Sequence, residues 1–185
     1  MKQGFVKVAS ATPRIRVADP VYNAQVICEQ AKEAAEHGAK IVVFPELCIT
    51  GYTCNDLFLQ ELLLEKAKEA LLTIAEETGQ LETLFLVGLP VDKDGRLYNV
   101  AAVLYRGRIL GMIPKKNIPM YAEFYEGRHF TPGEETVTEY RLGKQVIPFG
   151  SNLLFRCEEL PELILGCELC ELSLIHISEP TRPLY

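Results

Sequence analysis

Several features that would assign a function quickly are missing from this sequence. It has no block of basic residues, and a formal net charge of −6 over 185 residues argues against a nucleic-acid-binding surface. No apolar run approaches the ~20 residues needed to cross a bilayer. The stretch MKQGFVKVASATPRIR carries no long apolar segment of the kind a secretion signal uses, so the expectation is a cytoplasmic protein. There is no G-x-G-x-x-G and no G-x-x-x-x-G-K-[ST], so neither common phosphate cradle is present. The six cysteines are Cys28, Cys48, Cys54, Cys157, Cys167 and Cys170. They include one tight pair, Cys167-x-x-Cys170, and the C-x5-C spacing of Cys48 and Cys54 suits neither a zinc ribbon nor a finger. No metal site is therefore expected. A disulfide framework does not suit a cytosolic chain of this length. Most of these thiols should be reduced and buried, behaving as small apolar groups. No repeat, linker or low-complexity stretch divides the chain.

What is present reads as one α/β domain. Residues 4–11, FVKVASAT, alternate toward a strand. Asp19-Pro20 is a helix start, with Asp as N-cap and Pro in the first turn. The helix should run to Gly38. AKIVVFPE follows as a short apolar strand of the type buried on both faces. NDLFLQELLLEKAKEALLTIAEETG predicts a second long helix, capped at Asn55 or Asp56 and stopped at Gly79. TLFLVGLP is a strand, VDKDG a turn, and LYNVAAVLY and RILGMIP a hairpin through Arg106-Gly107-Arg108. Residues 114–135 form a long irregular segment, and such a loop in a compact domain is usually functional. TVTEYRL, KQVIPFG, LLFRC and LILGCEL complete the strands. The pattern supports a mixed α/β fold with two long helices against a largely buried sheet.

Three places carry reactive side chains. In FPELCITGY (44–52), Glu46 follows an apolar strand directly, and a carboxylate there is costly to desolvate unless it has a partner. A solvated strand end is the plain alternative. In IPKKNIPMYAEFYEGR (113–128), Lys115, Lys116, Glu123, Glu126 and Arg128 lie among Tyr121, Phe124 and Tyr125. A surface loop with ordinary ion pairs is possible, but the aromatic density favours a loop packed over something. In LPELILGCELCE (160–171), Cys170 can be a core residue, half of a metal or redox pair, or a nucleophile. A free thiol has a pKa of about 8.5 and is only a few per cent thiolate at neutral pH. A nearby cation and a base would change that. Glu, Lys and Cys together make a kit for attacking an amide carbon, with the lysine beside the oxyanion and the glutamate moving the proton.

These three blocks, in this chain order, resemble the signature blocks of the nitrilase superfamily of carbon–nitrogen hydrolases. More narrowly, Pro119-Met120-Tyr121, Phe124-Tyr125-Glu126, ATPRIRVADPVYNA and GYTCNDLF are similar to the glutaminase domains of bacterial glutamine-dependent NAD⁺ synthetases. The resemblance runs from residue 4 to 171. It implies a nitrilase-like α-β-β-α sandwich. It also implies Glu46 as general base, Lys115 as the lysine that stabilises the intermediate, and Cys170 as nucleophile. By the same resemblance Tyr121 and Tyr52 help bind glutamine, Glu126 supports the lysine, and Cys167 is core. The implied reaction is glutamine hydrolysis through a cysteine thioester, with the ammonia passed to a synthetase domain. No cofactor is implied for this part. ATP and Mg²⁺ belong to the synthetase domain of the parent, which is implied to form homo-oligomers.

After Glu171 the resemblance stops. The family continues Glu-Asp-Leu-Trp, whereas here Leu172-Ser173-Leu174-Ile175-His176 follows. The expectation is a partial glutaminase domain over 1–171, its sandwich incomplete at the C-terminal end. Residues 172–185 are expected to be an unrelated tail from a broken gene end. Such a chain should expose apolar edges and have little or no glutaminase activity. The rival readings are a stand-alone amidase of the same superfamily, a non-catalytic fragment, and a papain-like hydrolase pairing Cys170 with His129.

Overall fold

The computed structural model describes residues 5–120 and 125–169. The first crossover follows the sequence closely. Strand β1 (Val8–Ser10) leads to helix α1 (Pro20–Glu36), and β2 (Ile41–Val43) lies parallel to β1. The Asp19 carboxylate accepts a hydrogen bond from the backbone N–H of Tyr22 at 3.1 Å, and Pro20 occupies the first turn. This is the expected cap, which ties up a donor the helix cannot satisfy itself.

The second helix departs from the sequence reading. Asn55–Leu59 form a 3-10 turn, the chain breaks at the extended Gln60, and α2 runs from Glu61 to Glu77. The break accompanies a change of core. Phe58 packs with Leu47, Cys54 and Phe130, whereas Ala67, Ala70, Leu71 and Ile74 of α2 pack on the sheet. The helix ends at Thr78, whose hydroxyl donates to the Ile74 carbonyl at 2.7 Å. Gly79 follows without the positive φ of a left-handed cap.

Strands β3 (Leu84–Lys93), β4 (Arg96–Tyr105) and β5 (Arg108–Pro114) form an antiparallel meander. Its two turns, Asp94-Gly95 and Arg106-Gly107, hold both central residues at positive φ, between 47° and 75°. Two-residue turns of that hand match the twist of the flanking strands. β6 (Thr138–Leu142) and β7 (Gln145–Phe149) form a hairpin that joins β5 through β7. The result is a mixed seven-stranded sheet in the order β1-β2-β3-β4-β5-β7-β6. A two-stranded ribbon, β8 (Leu154–Arg156) with β9 (Ile164–Gly166), stands apart from it.

The period-2 alternation of strands sorts the side chains between two faces. Phe85, Val87, Leu89 and Val91 of β3 and Tyr98, Val100, Ala102 and Leu104 of β4 meet α1 and α2. Leu86, Val103 and Ile113 point the other way, where Phe155, Leu165, Cys167 and Leu169 of the ribbon region pack on them. Helices on one face of the sheet and a ribbon on the other bear out the expected mixed α/β class. One detail differs. Ile41 and Val42 are buried on opposite faces of β2, but Val43, on the ribbon side, is 45 % exposed. Cys170, Tyr121 and the expected tail 172–185 lie outside the described residues.

Candidate active site

The site forms on the ribbon face of the sheet. Glu46 comes from the turn after β2. Phe44 continues the pairing with β3 through its N–H to the Leu86 carbonyl at 2.9 Å, and the chain then folds back on itself. Leu47 takes a positive φ of 52°, and its carbonyl accepts from the N–H groups of Thr50 and Gly51 at 3.1 and 2.7 Å. A buried leucine in that conformation is strained, and such strain persists only where the surroundings enforce it. The enforcing element is β3. A Cβ at Gly88 would sit 2.4 Å from Leu47 N, 2.7 Å from Pro45 O and 2.9 Å from Glu46 C. Only a glycine lets the turn carrying Glu46 lie on the strand.

Lys115 follows β5 on the face shared by Gly111 and Ile113, as alternation requires. Its N–H donates to the Asn99 carbonyl of β4 at 2.7 Å, and its own carbonyl accepts from Gly133 N–H at 2.7 Å. Its backbone is thus clamped from both sides. Lys116, one residue on, points outward and pairs with Glu135 on the surface. Glu126 opens a 3-10 turn, Glu126–Arg128, whose following segment is anchored by Phe130 against Phe58 at a ring separation of 5.0 Å.

These elements bring four of the six expected site residues together. Lys115 Nζ donates to Glu46 Oε1 at 2.8 Å and to Glu126 Oε1 at 2.7 Å. Tyr52 OH donates to the same Glu126 oxygen. The side-chain exposures are 0 % for Lys115, 5 % for Glu126 and 22 % for Glu46, so the cluster opens at Glu46. Burial opposes the charge on Lys115, but its hydrogen bonds to Glu126 and Glu46 together outweigh it and hold the ammonium's pKa above its ordinary value. A cation between two carboxylates is a preorganised donor that stays charged at neutral pH. Glu126 Oε2 is buried without a hydrogen-bond partner among the described residues.

Cys28, Cys48 and Cys54 are buried as expected for core thiols, whereas Cys157 and Cys167 are half-buried. Burial pushes Cys48 up to about 12 and Cys28 and Cys167 up to about 11, and raises Cys54 as well. Cys167 packs on the apolar cluster of Ile41, Leu86, Val103 and Ile113. His129 lies against Phe58 and within 3.8 Å of Asp56, outside the Glu–Lys–Glu cluster.

Two residues here were passed over in the sequence. Asn99 is fully buried in β4, and its Nδ2 donates to Glu46 Oε1. The signal was available, since an amide in the middle of the apolar run LYNVAAVLY must find a partner. Gly88, in the apolar run TLFLVGLP, was equally legible as a point of close backbone approach.

Comparison with known proteins shows what the chain is similar to. The family model for carbon–nitrogen hydrolases matches residues 7–171. The chain is 39 % identical over 170 residues to the glutamine-dependent NAD(+) synthetase of Mycobacterium tuberculosis (strain H37Rv), covering 92 % of this chain and 25 % of that protein. The crystal structure of a glutamine-dependent NAD(+) synthetase from Cytophaga hutchinsonii superposes with a TM-score of 0.82 at 29 % identity, over 90 % of this chain and 28 % of the other. The synthetase of Acinetobacter baumannii, solved in complex with adenosine diphosphate, gives 0.60 at 26 % identity, over 75 % and 26 %. The chain spans about a quarter of the length of the curated relatives it matches.

Proposed function

The chain belongs to the carbon–nitrogen hydrolase family, and from that footing we propose that it is the glutaminase part of a glutamine-dependent NAD⁺ synthetase. The observation that carries this reading is the buried Lys115 ammonium held between Glu46 and Glu126. In this mechanism Glu46 takes the proton of the Cys170 thiol as sulfur attacks the side-chain carboxamide of glutamine. The oxyanion forms beside Lys115. The carbon–nitrogen bond breaks, Glu46 returns the proton to nitrogen, and ammonia leaves a glutamyl thioester. Water, deprotonated by Glu46, then releases glutamate and restores the thiol. Glu126 holds the lysine, while Tyr52 and Tyr121 line the glutamine site. Cys170 as nucleophile is supported by its neighbour: Leu169 packs on the cluster containing Ile113, two residues from Lys115 on the same face.

The wider role follows the relatives. The ammonia serves an amide-forming synthetase domain, which uses ATP and Mg²⁺ and is not among residues 1–185. The parent associates as a homo-oligomer. Among the described residues no helix is long and apolar enough to cross a membrane.

The thiol itself is the direct readout of this assignment. Iodoacetamide, an amide-shaped electrophile, should label Cys170 at least about tenfold faster than Cys157, as followed by peptide mass spectrometry, and glutamine should protect it. Equal labelling of the two thiols would overturn the assignment and leave the non-catalytic reading.

A further inference from the structure

Asn99 touches both halves of the cluster. Its side-chain Nδ2 donates to Glu46 Oε1, and its backbone carbonyl holds the Lys115 N–H at 2.7 Å. Resting on the function proposed above, we infer that Asn99 is a positioning residue that selects which oxygen of Glu46 acts as the base.

Among the described residues, both hydrogen bonds to the Glu46 carboxylate fall on Oε1, one from Asn99 and one from Lys115. A single ammonium contact is a point-charge interaction and leaves the carboxylate free to swing about it. A second donor, fixed on a strand and arriving from a different group, sets the plane of the carboxylate. Oε1 is thereby occupied, and Oε2 keeps its lone pairs for a proton. The exposure pattern agrees, because Glu46 is the most solvent-exposed member of the trio. Asn99 is itself immobilised. It is fully buried and registered against Pro90 of β3, and its backbone spans to the residue that follows β5. The arrangement fixes the relative height of Glu46 and Lys115 from a single residue. Asn99 touches neither substrate nor reacting atoms in this reading. It acts through Glu46.

The test is a double-mutant cycle on the iodoacetamide reactivity of Cys170 in the full chain. Asn99→Ala should slow labelling about tenfold where Glu46 is intact. In a Glu46→Ala background, which retains Lys115 and so a rate above that of Cys157, the same substitution should change it less than about twofold. Asn99→Leu keeps the size of the side chain without a donor, and should reproduce the loss. It carries the cycle if Asn99→Ala lowers the melting temperature enough to populate unfolded chain. Equal losses in both backgrounds, or no loss in either, would overturn the role of Asn99 while leaving a fast Cys170 in place. Labelling of Cys170 no faster than Cys157 in the unmodified protein is a different result, which removes the proposed function and this role with it.

Discussion

Burying the Lys115 ammonium strips it of water, and among the described residues Glu46 and Glu126 return what is lost. Removing one partner of such a group is worse than removing all of it, because an uncompensated charge stays buried. Lys115→Met should therefore destabilise the protein by about 3–5 kcal/mol, read as a drop in urea midpoint, and Glu126→Gln in the same chain should recover part of the loss. The pH dependence has a definite sign. The folded pKa of Lys115 lies above its unfolded value, so its contribution is fully present below the ordinary lysine pKa of about 10.4 and fades as pH climbs through the folded value. The stability gap between the unmodified protein and Lys115→Met should therefore narrow in strong alkali, read from urea midpoints on either side of about pH 10. Gly88 makes a separate residue-scale case. Gly88→Ala forces a Cβ into the backbone of residues 45–47, which should cost about 1–3 kcal/mol and slow Cys170 labelling, since the atoms displaced carry Glu46.

At the scale of elements, the loop after β5 acts as a strap. Phe130 is buried between Phe58 and Leu47, Arg128 reaches Asp56 at 3.1 Å, and the Glu126 carbonyl accepts from the N–H groups of His129 and Phe130. The exposed ion pair contributes little, so the aromatic anchor should dominate. Phe130→Ala should cost about 3–5 kcal/mol and raise amide exchange over residues 126–133 before that of β3 and β4. An Arg128→Ala variant should leave both nearly unchanged. The aromatic density of 113–128 in the sequence pointed to a packed loop. Of the three rings behind that reading, Tyr125 faces solvent, and Tyr121 and Phe124 lie outside the described residues. The break at Gln60 was not legible either. The apolar spacing of 55–77 suits one continuous helix, and it is the separate cluster around Leu47, Cys54 and Phe130, distant in sequence, that claims Phe58.

At the scale of the molecule, the helix face of the sheet is packed by α1 and α2, and among the described residues the ribbon face is covered only in part. Val8, Val43, Leu154 and Ile164 remain exposed there or on the ribbon itself. Exposed apolar area of this kind binds apolar dyes. The native protein should raise the fluorescence of anilinonaphthalene sulfonate, and Val43→Lys with Leu154→Lys should lower that signal without loss of helix content. Local chemistry alone determined much of this protein. The strand and helix periods, the Asp19 cap, the two tight turns, and the face on which Ile113 and Lys115 both stand all depend on residues within a few positions of one another. Tertiary structure decided what those residues meet. Glu46 and Lys115 are 69 positions apart, and Tyr52 and Glu126 are 74. Their meeting depends on the order β2-β3-β4-β5 and on the register that sets Asn99 beside Lys115 and Gly88 under Glu46. Strand order and register come from packing the whole core at once, because no short stretch of chain holds the energy to choose them.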